Sequence, residues 1–291
     1  MFAGGLISHT VISNDGAVVF VSSGGLAIST IVMSTGVGAN NGGLILQGDS
    51  GGGTAIKTLV NSGGQEAVFS GGTDRNGTIG NGGIEFVFTS GNAIGTTVRG
   101  TLDVGIIVSG VVSSAGGTVV NTLVKSPGVL NVFSGGIASN TTVTSGAKEI
   151  VFFSGVDIRT KISSGGAEIV SSGGTSIGAT INKGGELIAA NGGSADVSAN
   201  SGGTLFASGV NSLIDIVGVV NGGVALIRVW RLWPLQSRPV HRLHCNRQRS
   251  ERELHVGSQP HQRHADSDER GDRQRSPWSV PTRREISAAA R

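Results

Sequence analysis

Asp157, Arg159 and Lys161 fall on alternate residues of one short stretch, with Glu149 eight residues before Asp157, Glu168 eleven after it, and Lys148 close by. Carboxylates gathered in pairs suit acid–base cleavage of a glycosidic bond, and a carboxylate beside Arg and Lys suits related chemistry on acidic sugars. Such groups become a site only if the fold brings them to one exposed place. Solvated faces of a regular structure carry the same residue types, so no catalytic residue is assigned.

Other chemistries have still less to stand on. His241, His244 and Cys245 in HRLHC could belong to a metal site, but the chain has a single cysteine and no second ligand pair. The glycine-rich calcium repeat needs a third glycine followed by aspartate, and GGTDRNGTI and GGSADVSAN both lack it. No metal or cofactor is expected. RQRSERE is basic, but it has neither lysine nor interleaved aromatics, so no nucleic-acid partner is expected.

The elements that must position these residues emerge from an uneven composition. Of 50 glycines, 48 lie in residues 1–227, whereas 14 of 17 arginines, all three tryptophans and the only cysteine lie in 228–291. The net charge of +3 conceals a first part at −4 and a second at +7. One cysteine permits no disulfide framework. No apolar run approaches the ~20 residues of a helical membrane span, so no membrane insertion of this segment is expected. MFAGGLISHT lacks the basic start and apolar stretch of a signal peptide.

Within residues 1–227 glycine pairs or near-pairs return at spacings of eight and eleven, beginning at Gly116, Pro127, Gly135, Gly146, Ser154, Gly165, Gly173, Gly184 and Gly192. An earlier register runs through Gly52, Gly63, Gly71, Gly82 and Ser90, and the offset places an insertion of about seven residues near 109–115. The unit is nineteen residues. Its eleven-residue half carries a threonine column (Thr58, Thr122, Thr141, Thr160) and, two residues on, a β-branched column including Val60, Ile79, Val98, Val124, Val143, Ile162 and Ile181. Its eight-residue half carries Val68, Val87, Val132, Val151 and Val170.

Spacing of two is strand periodicity, and β-branched residues suit a pleated surface. The reading is two short strands per unit, stacked in register so that repeats share a core. Residues 1–227 are thus expected to form an all-β, right-handed parallel β-solenoid of about twelve coils, without helix, turning at glycines that reach positive φ.

The phrase T-x-[VI]-x-S-G-G followed by x-x-x-V-x-S-G-G, seen in TLVNSGGQEAVFSGG (58–72) and TKISSGGAEIVSSGG (160–174), resembles the repeat of AIDA-type adhesins, passenger domains of bacterial autotransporters. The resemblance covers about residues 4–223 and is weakest at 35–51 and 101–115. It implies export through an outer-membrane β-barrel and display at the cell surface, where such rods mediate adhesion, autoaggregation or biofilm formation, often with sugars on Ser and Thr. The implied partners are host or sibling cell surfaces, glycans, or the rod itself. No translocator barrel is read in this chain. The other function that a parallel β-helix hosts is a carbohydrate-active enzyme, a polysaccharide lyase or hydrolase.

Three further expectations concern the faces of the rod. Phe69, Phe88, Phe133 and Phe152 each follow the valine column by one residue, so they form a partner-contact stripe if valine points inward, and part of the core if it does not. Glu66 with Glu85, and Glu149 with Glu168, would stack as like charges and are expected at a solvated edge. The threonines are expected to stack along a sheet; Gly77 and Ala179 interrupt the array that ice binding would want. For the termini, the absence of a polar capping segment predicts end-to-end self-association or instability. The arginine-rich, lysine-free tail 228–291 reads as a disordered frameshift product.

Overall fold

The computed structural model describes residues 4–13, 16–33, 43–47, 52–105, 116–200, 202–209 and 211–220, with short strands at Val224–Ala225, Arg242–His244, Val256–Gly257 and Ile286–Ser287. Among these there is no helix. The repeat builds a parallel β-solenoid. One wall is an eleven-stranded parallel sheet made from the eight-residue halves, with strands such as Gln65–Val68, Ile84–Val87, Lys148–Val151 and Ala167–Val170. Eleven strands, where about twelve coils were expected, stack over about 50 Å at the usual strand spacing.

The eleven-residue half holds two strands in most coils, so a coil has three strands where the spacing suggested two. Thr73–Arg75 is followed by Thr78–Ile79, and Val156–Ile158 by Lys161–Ile162. Between them one residue takes the left-handed conformation: Lys57 (φ 56°), Asn76 (φ 55°), Gly95 (φ 75°), Asn121 (φ 57°), Asn140 (φ 55°) and Arg159 (φ 62°) in successive coils. Asparagine tolerates this conformation, but lysine and arginine do not advertise it, which is why the corner is hidden in the sequence. Further along, the two strands merge into one, as in Thr175–Ile181 and Ser194–Asn200.

Register follows the repeat. Thr54, Thr73 and Asn92 pair in turn at nineteen-residue steps, and the step from Asn92 to Thr118 is seven residues longer. The two flanking coils therefore pair in register across the offset, while residues 109–115, expected to hold the insertion, lie outside the described residues. Most of the tail, including His241 and Cys245, also lies outside them. Within it, Arg242–His244 pairs antiparallel with Leu213–Asp215.

Inward-pointing columns make the core. Val68, Val87, Val132, Val151 and Val170 are fully buried on one wall, and Val60, Ile79, Val98, Val124, Val143, Ile162 and Ile181 on the other. Thr58, Thr122, Thr141 and Thr160 share the parity of that second column and are buried with it, so the threonine array faces the interior.

The glycine pairs have two separate jobs. Gly82 has φ of 72°, which its turn requires, whereas a Cβ on Gly83 would collide with the Val60 carbonyl of the preceding coil. The turns themselves form a ladder along the rod, with Gly63 donating to Gly82 (3.0 Å), Gly146 to Gly165 (2.7 Å) and Gly165 to Gly184 (2.7 Å). Replacing the second glycine forces adjacent coils apart. Gly83→Ala is therefore expected to destabilise the rod by about 1–3 kcal/mol, as overpacked sites do. Gly43→Ala, whose Cβ would stand 3.6 Å from the nearest atom, should be close to neutral. Urea unfolding followed by far-UV circular dichroism separates the two, and equal effects would contradict this account.

Candidate functional site

Two features stand out from the regular columns, one on each side of the same wall. The outer one is aromatic. The four-residue strands end on the buried valines, and the next residue continues the backbone ladder while its side chain turns to solvent: Phe69 donates to Leu46 O (2.8 Å), Phe88 to Val68 O (2.9 Å), Phe133 to Val104 O and Phe152 to Val132 O (both 2.8 Å). With valine inside, Phe69, Phe88, Phe133 and Phe152 lie on the outer side of the wall, partly exposed.

The rings stack in pairs. Phe69 and Phe88 have centroids 4.5 Å apart and planes 17° apart, and Phe133 and Phe152 are at 4.8 Å and 15°. Both separations are close to the coil spacing, so the stacking is set by the backbone register. Gly105 occupies the column between the pairs and divides the stripe in two. The structure adds Phe86, which stacks on Phe88 at 5.8 Å, and Phe153, which is 57 % exposed. Neither is in the valine-plus-one column, which is why spacing alone did not find them.

The inner feature is acidic, and it corrects the expectation of a solvated edge. Glu66, Glu85, Glu149 and Glu168 are 0–1 % exposed, inside the rod. The reason is parity. Each glutamate stands two residues before an inward valine and so faces the same way, in a column that neighbouring coils fill with Leu44, Leu102, Leu130 and Leu187. Asp74 and Asp157, also fully buried, face in from the other wall, in a column filled elsewhere by Ala55, Ala93 and Ala138.

The result is two interior triads, Glu66–Asp74–Glu85 and Glu149–Asp157–Glu168, with the same eight- and eleven-residue spacing. In-register pairing puts Glu66 opposite Glu85 and Glu149 opposite Glu168. At the first triad the threonine column is interrupted by Gly77, and the Asp74 carboxylate occupies the space a Cβ there would need. At the second the threonine is kept, and Thr160 Oγ1 lies 2.6 Å from Asp157 Oδ1 and 3.0 Å from Glu149 Oε2, with Ser176 donating to Asp157 Oδ2 at 3.3 Å.

A hydroxyl has one proton to give, so Thr160 satisfies both carboxyls only if one of them is protonated and donates back. Burial supplies that proton. It raises Glu149 well above the usual carboxylate range, reinforced by Asp157 and Glu168. Burial raises Asp157 only to about 6, because the Thr160 and Ser176 hydroxyls and backbone donors favour its ionised form. Glu168 is raised by burial and then by Asp157.

The first triad behaves alike. Burial, then Asp74 and Glu85, hold Glu66 high, and burial with Asp74 does the same for Glu85. Asp74 is raised to about 7 by burial, against the nearby Gly77 and Arg75 backbone donors and the Thr96 hydroxyl, none of which meets its oxygens in good hydrogen-bond geometry.

Among the six residues first considered for chemistry, the fold gathers the three carboxyls inside and leaves Lys148, Arg159 and Lys161 exposed outside. No exposed acid–base cluster forms from them. Among the described residues, no group of three or more His, Cys, Asp or Glu is arranged to hold a metal ion.

No family model matches the chain, and no curated protein matches it. Solved structures are similar to it. One of them is the crystal structure of a TibC-catalyzed hyper-glycosylated TibA55-350 fragment, 28% identical over 77% of this chain and 96% of that one, with a TM-score of 0.45. The likeness to AIDA-type repeats lies in the repeat itself: the threonine and β-branched columns, the valine column and the glycine pairs all have the structural roles just described.

The hydrogen bonds at Thr160 set a measurable expectation. Thr160→Val removes a donor to the ionised form of Asp157, so the Asp157 pKa should move up from about 6. Stability should fall by about 1–3 kcal/mol as a buried acceptor is left unpaired. Carboxyl carbon NMR titration of wild type and variant reads the shift, and a downward move would contradict the assignment.

Proposed function

We propose that the chain is a stretch of the rod of a bacterial surface adhesin of the autotransporter type, and that it contacts its partner through the outer wall that carries Phe69, Phe88, Phe133 and Phe152. The observation behind this reading is the stacked aromatic pairs, held at coil spacing on the outside of a solenoid whose valines fill the inside. Planar rings offered to solvent in register suit the apolar faces of sugar rings, or a matching stripe on a second rod. Adhesion to a host or sibling cell surface, autoaggregation and biofilm formation are the activities such a face would serve.

The alternative, a carbohydrate-active β-helix, draws on the same architecture but wants convergent charged groups in an open groove. The carboxyls that converge here are sealed in the core, which favours the adhesive reading. Among the described residues no helix is long and apolar enough to cross a membrane.

The test is display of the chain on a non-adherent bacterium, scored for aggregation and for binding to glycan-coated surfaces. Wild type should confer one or both. The variant F69S/F88S/F133S/F152S should lose most of the gain while keeping its circular dichroism spectrum. Undiminished adhesion by a folded variant would exclude the stripe, and no gain by wild type would count against the adhesin.

A further inference from the structure

The acidic triads are absent from most coils, which fill the same two columns with leucine and alanine. Apolar residues at these positions evidently build the fold, so the carboxyls are not needed for it. They occur twice with identical spacing, Glu66–Asp74–Glu85 and Glu149–Asp157–Glu168, and each time as a complete set of three. No cation offsets them: the buried polar and charged residues among those described are Thr, Ser, Glu and Asp only. The elements packed against both triads present alanine, valine, leucine, isoleucine and hydroxyl side chains, with no other titratable group facing inward. Both oxygens of Asp74, Glu85 and Glu168 lack a hydrogen-bond partner.

We propose that the two triads make the rod a proton-dependent structure, closed while each triad retains protons and loosening at coils 65–85 and 148–168 as the protons leave. The geometry carries this. Glu66 and Glu85 face each other across one strand step, with Asp74 opposite, so a second and third negative charge must be placed beside the first in a site sealed from bulk solvent and, among the described residues, without a buried counter-charge.

The sign follows from the folded state holding these protons more tightly than the unfolded chain does. Both states are protonated well below pH 4, and no difference arises there. As pH rises past the ordinary carboxyl range, the unfolded chain ionises first and folding weakens, through about 6 for Asp157 and about 7 for Asp74, with the glutamates, which burial raises well above the ordinary range, adding to the loss in the same direction. In that window each group costs about tenfold in the folding equilibrium per pH unit. The device is thus tightest in mildly acidic surroundings and loosest in alkaline ones.

The experiment uses the full chain and a column-matched variant, E66L/D74A/E85L/E149L/D157A/E168L, which places at each position the residue that neighbouring coils already use. Urea midpoints at pH 5.0, 7.0 and 8.5 should fall steadily for wild type and stay level for the variant. Hydrogen exchange by mass spectrometry, corrected for intrinsic rates, should show wild type opening first at 65–85 and 148–168 on going to pH 8.5, with 118–132 still protected. If the sixfold variant does not fold, E66L/D74A/E85L alone should abolish the opening at 65–85 and leave that at 148–168. A wild-type midpoint that does not fall, an equal fall in a folded variant, or opening spread evenly over all coils would overturn the proposal.

Discussion

Everything in this rod depends on backbone hydrogen bonds made between coils. A strand of two to four residues has no partner in its own coil, so its N–H and C=O groups are satisfied only by the coils before and after it. That condition fixes the distance between coils, and the distance then dictates composition. The second glycine of pairs such as Gly63–Gly64 and Gly82–Gly83 is there because the preceding coil's carbonyl leaves no room for a side chain. The same spacing sets the separation of the stacked phenylalanines outside and of the paired glutamates inside. Attraction between rings and repulsion between carboxylates are both consequences of one repeat distance.

Much of the fold can be read directly from the chain because each column obeys one physical rule. Val68 to Val170 at one position and Val60 to Ile181 at another stand out as columns in the sequence, but alternation alone leaves open which parity faces in, and the structure turns the valines inward and Phe69 and Phe88 outward. The corner at Lys57 and Arg159 escapes such reading, since nothing about a lysine or arginine signals a left-handed backbone. The triads escaped for a different reason. The parity of Glu66 with Val68 pointed inward, but charge argued for solvent, and in this fold the backbone register prevails because moving one side chain out would misplace the whole strand. The conflict is settled by the proton, which lets a carboxyl occupy a leucine position.

The glutamates of the interior triads and the exterior rings belong to the same wall and in part to the same strands. Ile84–Val87 carries Glu85 inward, with Phe88 next to it outward, and Lys148–Val151 carries Glu149 inward, with Phe152 next to it outward. Any change in how these strands sit, from the acidic side, is felt by the aromatic side within two or three residues. The stripe is therefore coupled by covalent geometry to the least comfortable part of the core.

The parallel stacking also decides how such a molecule would respond to being pulled by its ends. Its inter-coil hydrogen bonds run along the long axis, so a tensile load bears on them directly and equally at every interface. Interfaces in series share the force without sharing the strength, and the weakest one parts first. Each coil that detaches then releases nineteen residues, about 60 Å of chain when drawn straight. A tether built this way lengthens in steps under load, one coil at a time, while the coils still stacked keep their shape.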